Sequence, residues 1–251
     1  MISSKLKQKL NSSSALWGTF AKLNCPAAIE ILGRAGLDFV IVDGEHAPCD
    51  QLTLENLVRA GDCVGLPVIV RVPECGDVPI LKALDMGASG VQLPGIESAA
   101  QAADAVMAAK YAPLGRRGLS FTQRSADYGC VDKTDYLLRS NENGVVVVHI
   151  ENRAMVEQAE ALCQIPGIDV LFIGPMDLSQ SYGTPGVPSS PEVQAAIHHV
   201  IETASRYQKP TGIFVGSREA AEHYRQLGVR YLVVGSDGTF LLQGAKSSLG
   251  S

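Results

Sequence analysis

The run FVIVDGEHAPCD, residues 39–50, begins as an apolar segment and ends in three ionisable groups within four positions, Asp43, Glu45 and His46. Carboxylates beside an imidazole can move protons near neutral pH, where histidine changes charge. A second group follows the four valines of GVVVVHIENR, where His149 and Glu151 are two residues apart and share one strand face. A carboxylate there needs a metal or a cation beside it, because burying it unpaired costs too much. With Asp177 of GPMDLSQSYG, Glu151 makes a pair of oxygen donors suited to a hard divalent cation such as Mg²⁺ or Mn²⁺. His149 could add a nitrogen ligand, but no His/Cys cluster has zinc-ligand spacing.

Each group also has a structural reading. Asp43 or Asp50 can cap a helix, as can Asp177, and Arg71 can pair with Asp43 or Glu45. His198, His199 and His223 fall in polar helical stretches and read as surface residues. Lys22 is the only lysine that comes near the end of a strand, so Schiff-base catalysis has one candidate and is disfavoured.

The elements that hold these groups are legible as short apolar runs: ALWGTF (15–20), FVIVDG (39–44), PVIVRV (67–72), SGVQLP (89–94), GVVVVHI (144–150), DVLFIG (169–174), TGIFVG (211–216) and RYLVVG (230–235). Near-continuous apolar runs mark parallel strands buried on both faces. Helical stretches alternate with them, among them LTLENLVRAGDCV, VPILKALDMGA, SAAQAADAVMAAK, RAMVEQAEALC, PEVQAAIHHVIETASRY and REAAEHYRQLG. Eight strands, helices between them, 251 residues and no G-x-G-x-x-G favour one α/β domain, a (β/α)8 TIM barrel, over a doubly wound sheet. The single domain spans 1–251, with a short N-terminal extension (about 1–14) and a flexible Gly/Ser-rich C-terminal end (about 241–251). One connection, 111–143, is long enough to be a functional or mobile loop. In such a barrel the chemistry sits at the C-terminal ends of strands. Those ends carry Asp43, Glu45, His46, Arg71, Gln92, His149, Glu151, Asp177, Ser236 and Asp237.

A net charge of −5 with singly scattered Lys and Arg argues against nucleic acid as a partner. The N-terminus lacks the apolar stretch of a signal peptide and no run is long enough to span a bilayer, which points to a soluble cytoplasmic protein. The six cysteines, without a C-x-x-C pair, read as reduced thiols that mostly pack.

The blocks DGEHAPCD, PVIVRVPE, LKALDMGASGVQLPGIESAAQA, YAPLGRRGLS, HIENRAMVEQ and GIDVLFIGPMDLSQSYG resemble, in order and spacing, the HpcH/HpaI aldolase/citrate lyase family of metal-dependent (class II) 2-oxo-acid aldolases. That group includes 2-dehydro-3-deoxyglucarate and 4-hydroxy-2-oxo-heptanedioate aldolases. The resemblance runs from about residue 15 to 240. It implies a (β/α)8 barrel and a homo-oligomer, a hexamer built from dimers that exchange a C-terminal helix. It implies Glu151 and Asp177 as ligands of Mg²⁺, Mn²⁺ or Co²⁺, and His46 as general base oriented by Asp43. Arg71 would hold the keto or enolate oxygen, and the amides of Met176 and Asp177, after Gly174 and Pro175, would receive the substrate carboxylate. Glu45 and Asp85 match acidic positions that help complete a neighbouring subunit's site, and Arg117 and Gly118 match a pair that shapes the mouth.

The activity so implied is cleavage or formation of a C–C bond in a 4-hydroxy-2-oxo acid, giving pyruvate, through its enolate, and an aldehyde. Where most of these aldolases have Gln two residues before the metal Glu, this sequence has His149, which bears on which 2-oxo acid fits. The alternative is a citrate synthase-like or acyl-CoA lyase-like condensation of oxaloacetate with acetyl-CoA, with Arg116, Arg117 and Arg124 meeting the polyanion. A third reading is a catalytically silent 2-oxo-acid-binding barrel, since fold does not determine function.

Overall fold

The computed structural model describes residues 4–12 and 14–250. Residues 1–3 and 13 of the expected N-terminal extension, and residue 251 of the C-terminal end, lie outside the described residues. Eight strands form the barrel: β1 (Leu16–Ala21), β2 (Phe39–Asp43), β3 (Val68–Arg71), β4 (Gly90–Leu93), β5 (Val145–Ile150), β6 (Val170–Ile173), β7 (Thr211–Val215) and β8 (Tyr231–Ser236). They pair in chain order, all parallel, and β8 closes on β1. Each apolar run anticipated in the sequence is a strand to within a residue or so at its ends.

Alternation along these strands divides the core in two. Within each strand one set of alternate residues, such as Val40 and Val42 of β2 and Val146 and Val148 of β5, packs outward against the helices. The alternate positions, Phe20, Phe39, Ile41, Ile69, Val145, Val147, Phe172, Tyr231 and Val233, fill the barrel. The rings of Phe39 and Tyr231 stack at 4.1 Å inside it. Gly18 makes room for them: a Cβ there would lie 2.3 Å from the Phe39 ring. Continued upward, the same inward register turns polar, giving Asp43 paired with Arg71 and Arg71 with Gln92 across neighbouring strands.

The helices are α1 (Ser4–Leu10), α2 (Pro26–Arg34), α3 (Gln51–Val64), α4 (Asp77–Asp85), α5 (Ala99–Ala109), α6 (Lys133–Asn143), α7 (Arg153–Glu157), α8 (Ala159–Cys163), α9 (Pro175–Ser181), α10 (Pro191–Arg206), α11 (Arg218–Gln226) and α12 (Asp237–Ser248). Asp50 caps α3 through the Thr53 amide, 2.7 Å away. The stretch RAMVEQAEALC is not one helix: it breaks at Gln158 into α7 and α8. The long connection 111–143 is more ordered than a loop, with a 3₁₀ turn over Arg124–Gly129 and then α6. α6 buries only Tyr136 and Ser140, too weak an apolar stripe to announce itself. Within the N-terminal extension, α1 closes the bottom of the barrel, with Leu6 and Leu10 fully buried in the interior cluster. The C-terminal segment is helical through Ser248, with Leu241 and Leu242 exposed.

All six cysteines are free, but fewer of them pack than the sequence suggests: Cys163 is buried and Cys49 and Cys75 lie against the core, whereas Cys25, Cys63 and Cys130 are exposed. No helix among the described residues is long and apolar enough to cross a membrane.

Candidate active site

A pocket of about 380 Å³ opens at the C-terminal ends of the strands. Phe20, Lys22, His46, Arg71, His149, Phe172, Asp177 and Phe214 are among its lining residues, with Gly174, Pro175, Met176, Gly235, Ser236 and Thr239. Of these, Phe20, Phe172, Phe214, Gly235 and Thr239 are not singled out by the sequence. A period-2 reading of TGIFVG would have put Phe214 on the inner face.

Asp43 is fully buried at the tip of β2. Its Oδ1 accepts from Arg71 Nε at 2.9 Å and from the backbone amides of Glu45 and His46, each at 3.1 Å. Its Oδ2 accepts from Arg71 Nη2 at 2.6 Å and pairs with Lys22 Nζ at 3.1 Å. Burial alone would raise this carboxyl. The hydrogen bonds and charge of Arg71, the His46 amide and Lys22 outweigh that and bring its pKa down to about 2.

Because its lone pairs are taken, Asp43 does not orient the His46 imidazole as expected from the sequence; it holds the His46 backbone instead. The imidazole is exposed, with Nε2 3.8 Å from Glu45 Oε2. Arg71 is buried, donates its third nitrogen, Nη1, to Glu45 Oε2 at 2.8 Å, and lies 4.6 Å from the centre of the Phe20 ring. The structural and the functional readings of Arg71 therefore coincide: a guanidinium held by two carboxylates at the pocket wall.

On the facing side, Glu151 Oε1 accepts from the Gly95 amide at 2.6 Å and Oε2 is 2.7 Å from His149 Nδ1. Burial would raise the Glu151 carboxyl, but the His149 hydrogen bond and charge, the Gly95 amide and the charge of Arg71 lower it, which keeps it anionic. His149 Nε2 sits 2.7 Å from the side-chain nitrogen of Gln92, which is fully buried. Both ring nitrogens are thus engaged, and His149 is not the spare nitrogen ligand that its spacing suggested.

Asp177 is exposed in the first turn of α9, whose N-cap is Gly174, so Asp177 is not the cap. Gly174 leaves open the space where the two acids converge: a Cβ there would lie 3.6 Å from Asp177 Oδ2 and 3.7 Å from Glu151 Oε2. This cradle with two carboxylate oxygens fits a hard divalent cation that keeps much of its water. Among the described residues no three His, Cys, Asp or Glu side chains converge as a closed metal cage would need. The amides of Met176 and Asp177, in the first turn of α9, have no intrahelical acceptor.

Other candidates fall elsewhere. Asp85 is at the far end of α4, where it takes Arg117 Nη2 at 2.6 Å. Arg117 and Gly118 pack near α4 rather than lining the pocket: Leu81 is the neighbour of Gly118. Arg116 binds Asp77 and Asp104, and Arg124 binds Asp62 and the Met86 carbonyl, so these loop arginines are already paired. His198, His199 and His223 are exposed on their helices. Asp237 spends its carboxylate on backbone amides, including those of Lys22 and Leu23.

The chain matches the HpcH/HpaI aldolase/citrate lyase family model over residues 16–244. It is 37% identical over 233 residues to a 5-keto-4-deoxy-D-glucarate aldolase of Klebsiella pneumoniae, covering 93% of this chain and 90% of that one. Among solved structures it is similar to an HpcH/HpaI aldolase/citrate lyase family protein from Burkholderia cenocepacia J2315, with 34% identity, a TM-score of 0.94 and coverage of 99% and 98% of the two chains. It is also similar to the citrate synthase SbnG, with 28% identity, a TM-score of 0.89 and coverage of 99% and 97%. The chain belongs to the HpcH/HpaI aldolase/citrate lyase family and is a carbon–carbon lyase, an aldolase of that family.

Proposed function

We propose that this protein is a class II pyruvate aldolase, a divalent-metal-dependent enzyme that cleaves or forms the C3–C4 bond of a 4-hydroxy-2-oxo acid, giving pyruvate and an aldehyde. The observation that carries the reading is the convergence of Glu151 and Asp177 on the open space at Gly174, across the pocket from Arg71 and His46. Glu151 and Asp177 would hold Mg²⁺, Mn²⁺ or Co²⁺. When bound, the metal polarises the 2-oxo carbonyl and stabilises negative charge on its oxygen.

The chain's own residues supply the rest. Arg71, fixed by Asp43 and Glu45, presents a positive face to the 2-oxo or enolate oxygen without reorganising. The free amides of Met176 and Asp177 receive the carboxylate of the 2-oxo acid. In the cleavage direction His46 takes the proton from the 4-hydroxyl as the C3–C4 bond breaks, and it returns a proton in the reverse direction. Its backbone is fixed by Asp43 while the ring is exposed at the mouth. His149, between Gln92 and Glu151, holds Glu151 in place and narrows the pocket floor. The exposed Leu241 and Leu242 on α12 suit a homo-oligomer, hexamer or dimer, in which that helix is covered.

A second reading, condensation of oxaloacetate with acetyl-CoA, is favoured by the likeness to the citrate synthase SbnG. It loses support from Arg116, Arg117 and Arg124, whose internal pairing leaves them unsuited to a polyanion. The test is proton NMR of pyruvate in D₂O with the purified protein, with EDTA or with added Mg²⁺ or Mn²⁺. Metal-dependent loss of the methyl signal is expected. A methyl signal that persists with metal bound would overturn the aldolase reading and leave the oxaloacetate condensation to be assayed.

A further inference from the structure

Lys22 occupies the next inward position above Phe20 on the β1 side, following the period-2 register of the strand past its end. In a closed ring of eight strands β1 is four strands from β5, so Lys22 faces the Glu151 side from across the pocket. Its place is set by a buried carboxylate: Asp237, 6% exposed, accepts from the Lys22 amide at 2.9 Å and the Leu23 amide at 3.1 Å. That clamp ties the start of α12 to the end of β1. It gives Asp237 a positioning role that the chemistry at the metal cradle does not use.

The ammonium of Lys22 meets Asp43 Oδ2 at 3.1 Å, and its side chain is 40% exposed. Asp43 does not depend on this contact, because it retains two Arg71 nitrogens and two backbone amides. Arg71, in contrast, is committed at three nitrogens to Asp43 and Glu45 and is largely buried. Of the two fixed cations at the pocket, Lys22 is therefore the one that can turn to an incoming anion at small cost. Phe20, Phe172 and Phe214 line the same pocket and offer no polar contact to the middle of a ligand.

We propose that Lys22, aimed into the pocket by the Asp237 clamp and opposite the Glu151/Asp177 cradle, binds a distal carboxylate on the aldehyde partner and so makes the enzyme selective for anionic acceptors. This rests on the pyruvate aldolase reading. It assigns Lys22 to recognition; as an ammonium in an ion pair it is an anion receptor rather than an imine-forming amine.

The experiment compares kcat/KM for 4-oxobutanoate and for butanal, each with saturating pyruvate and Mn²⁺, in the natural protein and in Lys22→Met and Lys22→Arg. The ratio of the two acceptors cancels general losses of folding or metal. A charged hydrogen bond is lost in Lys22→Met, so the anionic-to-neutral ratio should fall about 10- to 100-fold, and Lys22→Arg should retain most of it. Should Lys22→Met fail to fold, Lys22→Gln serves the same ratio. A ratio unchanged by loss of the ammonium overturns the assignment. So does borohydride reduction in the presence of pyruvate that adds mass to Lys22, because that would make it a nucleophile. Failure of the natural protein to exchange the pyruvate methyl protons overturns the aldolase reading itself, and the acceptor assignment with it.

Discussion

Asp43→Asn tests the network that holds the site together. The substitution keeps the shape of the side chain but removes a charge shared by Arg71, Lys22 and two backbone amides in a fully buried position. Removing one partner of a buried ion pair costs about 3–5 kcal/mol. Glu45 still pairs with Arg71, and the asparagine carbonyl still accepts a bond, which brings the expected loss to about 2–4 kcal/mol at pH 7.

The acid dependence gives a second figure. Asp43 titrates near 2 in the folded protein against 3.8 ordinarily, which corresponds to about 2 kcal/mol of linked stability. A carboxyl whose folded value is depressed contributes fully above its unfolded value, and that contribution disappears as pH falls from about 4 toward 2. The assay is urea unfolding followed by circular dichroism across pH 2–7 for both proteins. The gap between them should be about 2–4 kcal/mol at neutral pH and shrink by about 2 kcal/mol on approaching pH 2. A gap that stays constant through that window would refute the account, as would a variant within 0.5 kcal/mol, roughly the noise of a surface change.

Three further outcomes are expected. His46→Ala should lower kcat by roughly 10²- to 10⁴-fold, the scale of general-base loss, and near-normal turnover with metal bound would remove His46 from that role. Glu151→Ala should abolish retention of Mn²⁺, and calorimetry giving the natural affinity would sink its assignment as a ligand. Gly174→Ala introduces a methyl 3.6 Å from Asp177 Oδ2 and 3.7 Å from Glu151 Oε2 at an ordinary backbone φ of −103°. Weaker Mn²⁺ binding at a nearly unchanged melting temperature is expected, whereas unchanged binding would show that the cation does not use that space.

Strand identity was legible in the sequence because strands buried on both faces admit only apolar residues, and runs such as VVVV and VIV have no other comfortable place in a chain of this kind. Charge at their C-terminal ends marks Asp43, His46, Arg71, Glu151 and Asp177 as the polar tips of an otherwise apolar barrel. Helices with a strong apolar stripe were equally plain. α6 was not, since only Tyr136 and Ser140 are buried along it, nor was α1, whose Leu6 and Leu10 acquire their meaning only as a plug in the barrel floor.

Who pairs with whom was decided by the tertiary structure. Asp43 lies three residues from His46 in the chain, yet strand register sets it beside Arg71, and the fork of the guanidinium takes the lone pairs an imidazole would need. The spacing of His149 and Glu151 suggested two ligands side by side, whereas register brings Gln92 to the far nitrogen of the ring and turns His149 into a support for Glu151. Sequence spacing determines which face a residue occupies. Which group on that face it meets depends on the neighbouring strand, through contacts between residues far apart in the chain.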